Sequence, residues 1–184
     1  MPYPPQHREQ VRERIIQSAR KLFNDRGFVA VSIDDVMASA GLTRGSFYSY
    51  FQSKSELYSE MIDRFVNEVR NDGDFALRSR DRVGRILNDH LSDGERQTNC
   101  PLLALYSDLS RADPTVKAAF ETALKLMIDM FEQGVTPGAH PGRHRAMALV
   151  SLCVGGKVLA DWIGDRSLAN ELQDATKAIA LSLL

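Results

Sequence analysis

After residue 65 almost every stretch places its apolar positions at the three-to-four-residue interval of an α-helix, and none alternates convincingly as a half-buried strand would. The spacing predicts a long helix from about Lys54 to Asn71, broken at Asn71-Asp72-Gly73-Asp74, and a second near Arg80–Leu91 that ends in a turn through Ser92-Asp93-Gly94. Another begins at Cys100-Pro101, where proline suits a first helical turn. Asp113-Pro114 opens the next, along which Val116, Phe120, Leu124, Met127 and Phe131 trace one apolar stripe. TPGAHPG, 136–142, reads as a loop. From Arg143 the chain turns strongly apolar, AMALVSLCVGGKVLADWIG, and a last apolar helix runs from about Ser167 to Leu184. These two final helices carry more apolar surface than one side of a small body needs, and Gly155-Gly156 admits a close helix approach. They predict a two-fold symmetric four-helix interface between two copies of the chain; the alternative is packing within one copy.

Residues 32 to 58, SIDDVMASAGLTRGSFYSYFQSKSELY, pattern differently. Ser32 precedes Ile33, Val36 and Met37, with Asp35 three residues on. This is a capping-box start, weakened because Asp stands where Glu or Gln is preferred. Gly41 follows Ala40 where a helix must stop and the chain turn sharply. Thr43 is placed to cap a brief next helix with its side-chain oxygen. In that helix Phe47 and Phe51, four apart, point to a core, which leaves Arg44, Gly45, Ser46, Tyr48 and Tyr50 for the surface. Ser53-Lys54-Ser55-Glu56 is a full capping box and starts the following helix at once. Two short helices around a tight turn, the second slim and donor-rich, are what a helix-turn-helix needs to enter the DNA major groove.

In order and spacing this stretch resembles the tetracycline-repressor (TetR/AcrR-like) transcriptional regulators. The residues in register are Ser32, Val36, Ala40, Gly41, Leu42, Thr43, Gly45, Phe47, Tyr48, Tyr50, Phe51, Ser53, Lys54 and Leu57. Upstream, IIQSARKLFNDRGFVAVSI resembles the family's first helix and its Gly27-Phe28 turn, so the likeness covers roughly residues 11 to 65. Met37 departs from the family, where a small residue is commoner, and Tyr50 replaces a frequent His while keeping a donor. The resemblance implies an all-α fold of about nine helices. A three-helix helix-turn-helix DNA-binding domain would occupy 1–53, and an effector-binding and dimerisation domain 54–184. It also implies a homodimer that represses from a palindromic double-stranded DNA operator and is released by a small-molecule inducer.

Composition adjusts this reading only slightly. The chain has 184 residues and a formal net charge of −1, which by itself disfavours a nucleic-acid partner. The distribution restores the case: residues 1–54 hold eight Lys/Arg against five acids, net +3, and the remainder is net −4. A mildly basic head doubled in a dimer suits DNA. No run of 18 apolar residues indicates a membrane span. MPYPPQHREQ lacks a signal core and reads as a short flexible arm whose Arg8 and Arg12 could brush a phosphate or the minor groove. Two distant cysteines form no disulfide framework, and the chain reads as cytoplasmic.

Arg44 is the candidate base contact, since its fork can bind guanine O6 and N7 together; the competing reading is a surface ion pair with Asp34 or Asp35. Gly45 lets the backbone approach, and Ser46 could touch base or phosphate. The resemblance assigns phosphate contacts to Ser32, Thr43, Tyr48, Tyr50 and Lys54. For an effector pocket in the helices from about 54 to 133, the candidate lining is Met61, Phe65, Leu103, Tyr106, Phe120, Leu124, Met127 and Trp162, each of which could equally be plain core. Cys100 at a helix start would have a lowered thiol pKa and is a candidate sensor of electrophiles or oxidants; otherwise it is a small packed residue. Cys153 reads as inert packing. No cofactor or metal is expected: among His7, His90, His140 and His144 only the last two are close, in a Pro/Gly loop. No Gly-rich phosphate loop, nucleophile elbow or HExxH appears, so an enzyme is the weaker alternative. A DNA-binder without an effector is the other.

Overall fold

Among the described residues the helical periodicity becomes helix. The computed structural model describes residues 5–71, 80–91 and 112–184. Their regular structure is α1 (Pro5–Arg26), α2 (Ile33–Ser39), α3 (Arg44–Phe47), α4 (Lys54–Asn71), α5 (Arg80–His90), α6 (Pro114–Glu132), α7 (Gly142–Trp162) and α8 (Arg166–Ser182). These are eight helices among the described residues, against about nine expected. The helix start at Cys100-Pro101 and the turns at 72–74 and 92–94 lie outside the described residues. The chain divides into two compact units, Met1–Glu68 with Asn99–Ala123, and Val69–Thr98 with Leu124–Leu184. No helix among the described residues is long and apolar enough to cross a membrane.

In the first unit α1 buries Val11, Ile15, Ile16, Ala19, Leu22 and Phe23, one continuous face. Against it stand Val36 and Met37 of α2, Phe47 and Phe51, and Leu57, Tyr58, Met61 and Ile62 of α4. The rings of Phe23, Phe28 and Tyr58 meet at centroid distances of 5.4 to 6.1 Å. Each such buried side chain contributes about 1.5–3 kcal/mol to holding the short helices α2 and α3 in place. The polar side of α1 is tied to α4 by a ladder of ion pairs. Arg12 binds Glu60, Arg64 binds Glu9, Glu13 and Glu60, and Arg20 binds Glu68. The expected N-terminal arm is therefore corrected: from Pro5 the chain is already helix, because its charged residues have partners on α4.

In the second unit α7 and α8 pack closely. A Cβ added at Gly156 would lie 2.6 Å from Thr176 Cγ2 and 2.9 Å from its Oγ1, so the crossing depends on the missing side chain. Asp165 starts α8 by accepting from the N–H groups of Ser167 and Leu168. Arg145 donates to the carbonyls of Thr136 and Leu183, which places a cation at the C-terminal end of α8. α5 contributes Val83, Leu87 and His90 to this core. The predicted α6 stripe is divided between the units: up to Ala123, in the first, Val116, Ala119 and Ala123 are buried and Phe120 is half-buried, and from Leu124, in the second, Met127 and Phe131 are buried and Leu124 is half-buried.

One face of each terminal helix points outward and is apolar. On α7 Met147 is 41 %, Leu159 50 % and Trp162 65 % exposed, and on α8 Leu168 is 50 % and Ile179 56 % exposed. Gly155 also opens outward, with nothing within 4 Å of a Cβ placed there. The glycine pair thus splits: Gly156 serves the crossing inside the unit, and Gly155 notches the outer face.

Candidate nucleic-acid interface

The recognition edge is built by caps and one turn. Ser32 and Asp35 form the full reciprocal box, Ser32 Oγ accepting from Asp35 N–H at 3.1 Å and Ser32 N–H donating to Asp35 Oδ2 at 2.8 Å. The shorter Asp thus suffices where the sequence suggested weakness. At the other end of α2, Gly41 adopts φ 70°, a left-handed conformation that glycine enters without a Cβ clash. Leu42 N–H reaches Met37 O and Gly41 N–H reaches Ala38 O, the paired bonds of a Schellman stop.

Two capping expectations need correction. Thr43 stands at the N-cap of α3 with extended backbone, but its side chain makes no cap hydrogen bond; Ser46 Oγ instead donates to Thr43 O at 2.7 Å. Ser53 does cap Glu56 N–H, yet the Glu56 carboxylate accepts from Gln52 N–H rather than closing the box on Ser53. The backbone N–H one residue further back is within reach, and it is the one satisfied.

Regular helix in the recognition segment is only Arg44–Phe47. Tighter bonds continue it, Ser49 N–H to Ser46 O and Tyr50 N–H to Phe47 O, before Phe51 N–H returns to Phe47 O. Phe47 and Phe51 anchor it inside, and Thr43, Arg44, Gly45 and Tyr48 face solvent, with Ser46 and Tyr50 half-buried. A Cβ at Gly45 would meet nothing of this chain, so the edge is thin there. Arg44 Nη1 donates to Asp34 Oδ2 at 2.5 Å, the ion pair that the sequence offered as the competing reading. Asp34 and the nearby Tyr48 hold the Arg44 guanidinium above its ordinary pKa, chiefly through the Asp34 hydrogen bond.

The flanks are held from behind. Lys54 Nζ donates to Phe28 O at 2.7 Å and Val31 O at 2.9 Å and lies 4.4 Å above the Phe28 ring. Its charge is fixed at the start of α4, against the turn that leads into α2. Arg8 donates to Ser49 O and Arg12 to Tyr50 O, so both engage the last carbonyls of the recognition turn. Arg12 also stacks 4.3 Å from the Phe51 ring. This support was missed in the sequence, where the two arginines read as part of an arm; their spacing of four on α1 was the available signal.

The effector candidates fall in both units. In the first unit Met61 is buried core, Phe65 is half-buried beneath the Arg20 guanidinium at 5.5 Å, and Phe120 is half-buried. In the second unit Met127 is buried, Leu124 half-buried, and Trp162 stands on the outer surface. Cys100, Leu103 and Tyr106 lie outside the described residues, and Cys153 is buried. Two open grooves, of about 700 and 480 Å³, are lined by other residues: one by Gln6, His7, Glu9, Gln10, Val11, Glu13, Arg14 and Arg64, the other by Gln52, Ser53, Glu56, Ser59, Glu60, Asp63 and Thr115.

A capped, glycine-stopped helix pair presenting an exposed arginine edge over a packed three-helix core defines a helix-turn-helix DNA-binding transcriptional regulator. Residues 15–61 match the family model for bacterial regulatory proteins of the tetR family. The match places the helix-turn-helix segment of the chain in that family. The chain is 26% identical over 154 residues to the transcriptional activator FasR of Mycolicibacterium smegmatis, covering 80% of this chain and 70% of FasR. It is 32% identical over 96 residues to the transcriptional repressor Rv3405c of Mycobacterium tuberculosis, covering 49% of this chain and 51% of that protein. Shorter matches at 37–39% identity span only 28–30% of those regulators' lengths. In fold it is similar to a TetR-family regulator from Agrobacterium tumefaciens, with a TM-score of 0.74, 18% identity and coverage of 95% of this chain and 97% of that one.

Proposed function

We propose that the chain acts as a homodimeric repressor on a palindromic operator, with residues 1–53 as the reading head and 54–184 as the effector-binding and dimerising body, and that a small molecule releases it. The observation that carries this reading is the solvent-facing edge Thr43, Arg44, Gly45 and Tyr48, set on the buried anchors Phe47 and Phe51. Such an edge is short, so one copy reads few base pairs; two copies about 34 Å apart read a dyad. The outward apolar stripe of Met147, Leu159, Leu168 and Ile179 supports the second copy as its cover. Arg44 contacts guanine, Ser46 touches base or phosphate, and Ser32, Thr43, Tyr48, Tyr50 and Lys54 serve the phosphates. Repression follows from occupying a promoter, and Rv3405c is a repressor by name.

Selection of binding sites from a random duplex library, followed by competition binding, tests the reading. A dyad-symmetric site is expected, and Arg44→Ala should lose about 5- to 150-fold of discrimination at one or two positions per half-site. An unchanged preference would remove Arg44 from its role. Transcription in vitro from a promoter carrying that site should fall on adding the protein. A rise would assign activation instead, the role in the name of FasR. A thermal-shift screen of metabolites should yield a compound that raises the melting point and weakens operator binding by the same coupling. If no compound does so, the protein binds DNA without an effector. Alkylation that releases wild type but spares Cys100→Ser would make the inducer an electrophile.

A further inference from the structure

We propose that Asp34 is a specificity-determining positioning residue, whose carboxylate holds the Arg44 fork by Nη1 and presets it for a guanine edge. This rests on the reading of Arg44 as the base contact. The two residues come from different helices, Asp34 from the first turn of α2 and Arg44 from the first turn of α3. Arg44 Nη1 lies 2.5 Å from Asp34 Oδ2, and both side chains are more than half exposed, so burial does not force the pairing. The neighbouring acid is otherwise engaged: Asp35 is locked to Ser32 by both halves of the capping box. Asp34 is thus the carboxylate of the pair that is turned to α3.

Three physical points favour a positioning role. An exposed arginine has many rotamers and loses that freedom on binding, so a partner that selects one rotamer beforehand lowers the penalty. A guanidinium has five N–H donors, and one bond to Asp34 leaves enough of the fork for guanine O6 and N7. A carboxylate beside the DNA-facing edge also repels phosphates, so its charge opposes binding in general. What it contributes is therefore choice of base rather than affinity.

The test compares wild type, Asp34→Ala, Asp34→Asn, Arg44→Ala and the Asp34→Ala/Arg44→Ala double variant, as full chains, on the selected operator, its single-base variants and a scrambled duplex. Asp34→Ala and Asp34→Asn should each narrow discrimination by about two- to fivefold, the size of an exposed ion pair, and only at the positions that Arg44→Ala flattens. Affinity for the scrambled duplex should hold or rise, because a negative charge has gone. In the Arg44→Ala background the Asp34 change should do nothing further. The proposal is overturned if discrimination at those positions is unchanged or sharpened, or if other positions flatten instead. It is equally overturned if scrambled-duplex affinity and melting temperature fall together, which marks a folding role. If Arg44→Ala itself leaves the preference intact, the reading of Arg44 fails, and that result is separable from all of these.

Discussion

At the scale of single residues, Lys54 and His90 show how a charge or its absence is set by neighbours. The Lys54 ammonium bridges the Phe28 and Val31 carbonyls, so it fastens the turn before α2 as well as placing a positive charge. Lys54→Ala should therefore destabilise the chain by about 1–3 kcal/mol in urea unfolding. It should also weaken binding to all duplexes alike with a flatter salt slope. His90 is buried at the end of α5, its Nε2 has no hydrogen-bond partner among the described residues, and burial with help from Lys157 pushes its pKa down to about 4. Unfolded, the imidazole titrates near its ordinary 6.5, so between about 6.5 and 4 the unfolded chain binds the extra proton. The neutral buried form therefore supports folding fully above the unfolded value, and that support is lost as pH falls toward 4. His90→Leu should flatten the stability profile in this window by up to about 3 kcal/mol, read by denaturant unfolding at a series of pH values.

At the scale of elements, close contact and local capping decide the geometry. The α7–α8 crossing at Gly156 leaves no room for a methyl group beside Thr176. Gly156→Ala should destabilise by about 1–3 kcal/mol through overpacking. Thr176→Ala in the same chain should return most of that loss, a non-additivity that paired unfolding curves measure directly. Helix ends written in adjacent residues were legible beforehand. The Ser32 box, the Gly41 stop and the Asp113-Pro114 start, where Asp113 accepts from Thr115 and Val116 N–H, all lie within a few residues of their partners. Less legible was anything joining distant residues. Arg12 with Glu60 and Arg64 with Glu13 pair across about 50 positions, and that ladder is why α1 is already helical at Pro5. Thr43 and Glu56 mark the other limit: the residue types suit a cap, but Thr43 makes no cap bond and the Glu56 carboxylate goes to Gln52.

At the scale of the whole molecule, the apolar stripe on α7 and α8 stands exposed to solvent. Charges placed there, Leu159→Glu with Ile179→Glu, should raise the dimer dissociation constant at least about tenfold. Equilibrium sedimentation would show monomers, and operator affinity would fall while the melting of the first unit stayed the same. That helices would be apolar on an outward face was legible from their excess of hydrophobic residues. Which residues face outward was not, because Trp162 and Met127 look alike as large apolar positions and only packing separates the exposed one from the buried one. One consequence reaches beyond a single operator. Because the proposed reading edge is anchored by the buried Phe47 and Phe51, and Thr43, Arg44 and Gly45 bury little of themselves, those positions can change without removing core. Duplicated copies of such a gene can therefore drift to new DNA sites almost free of a stability penalty, and new binding preferences can be installed by recoding a handful of codons on an unchanged scaffold.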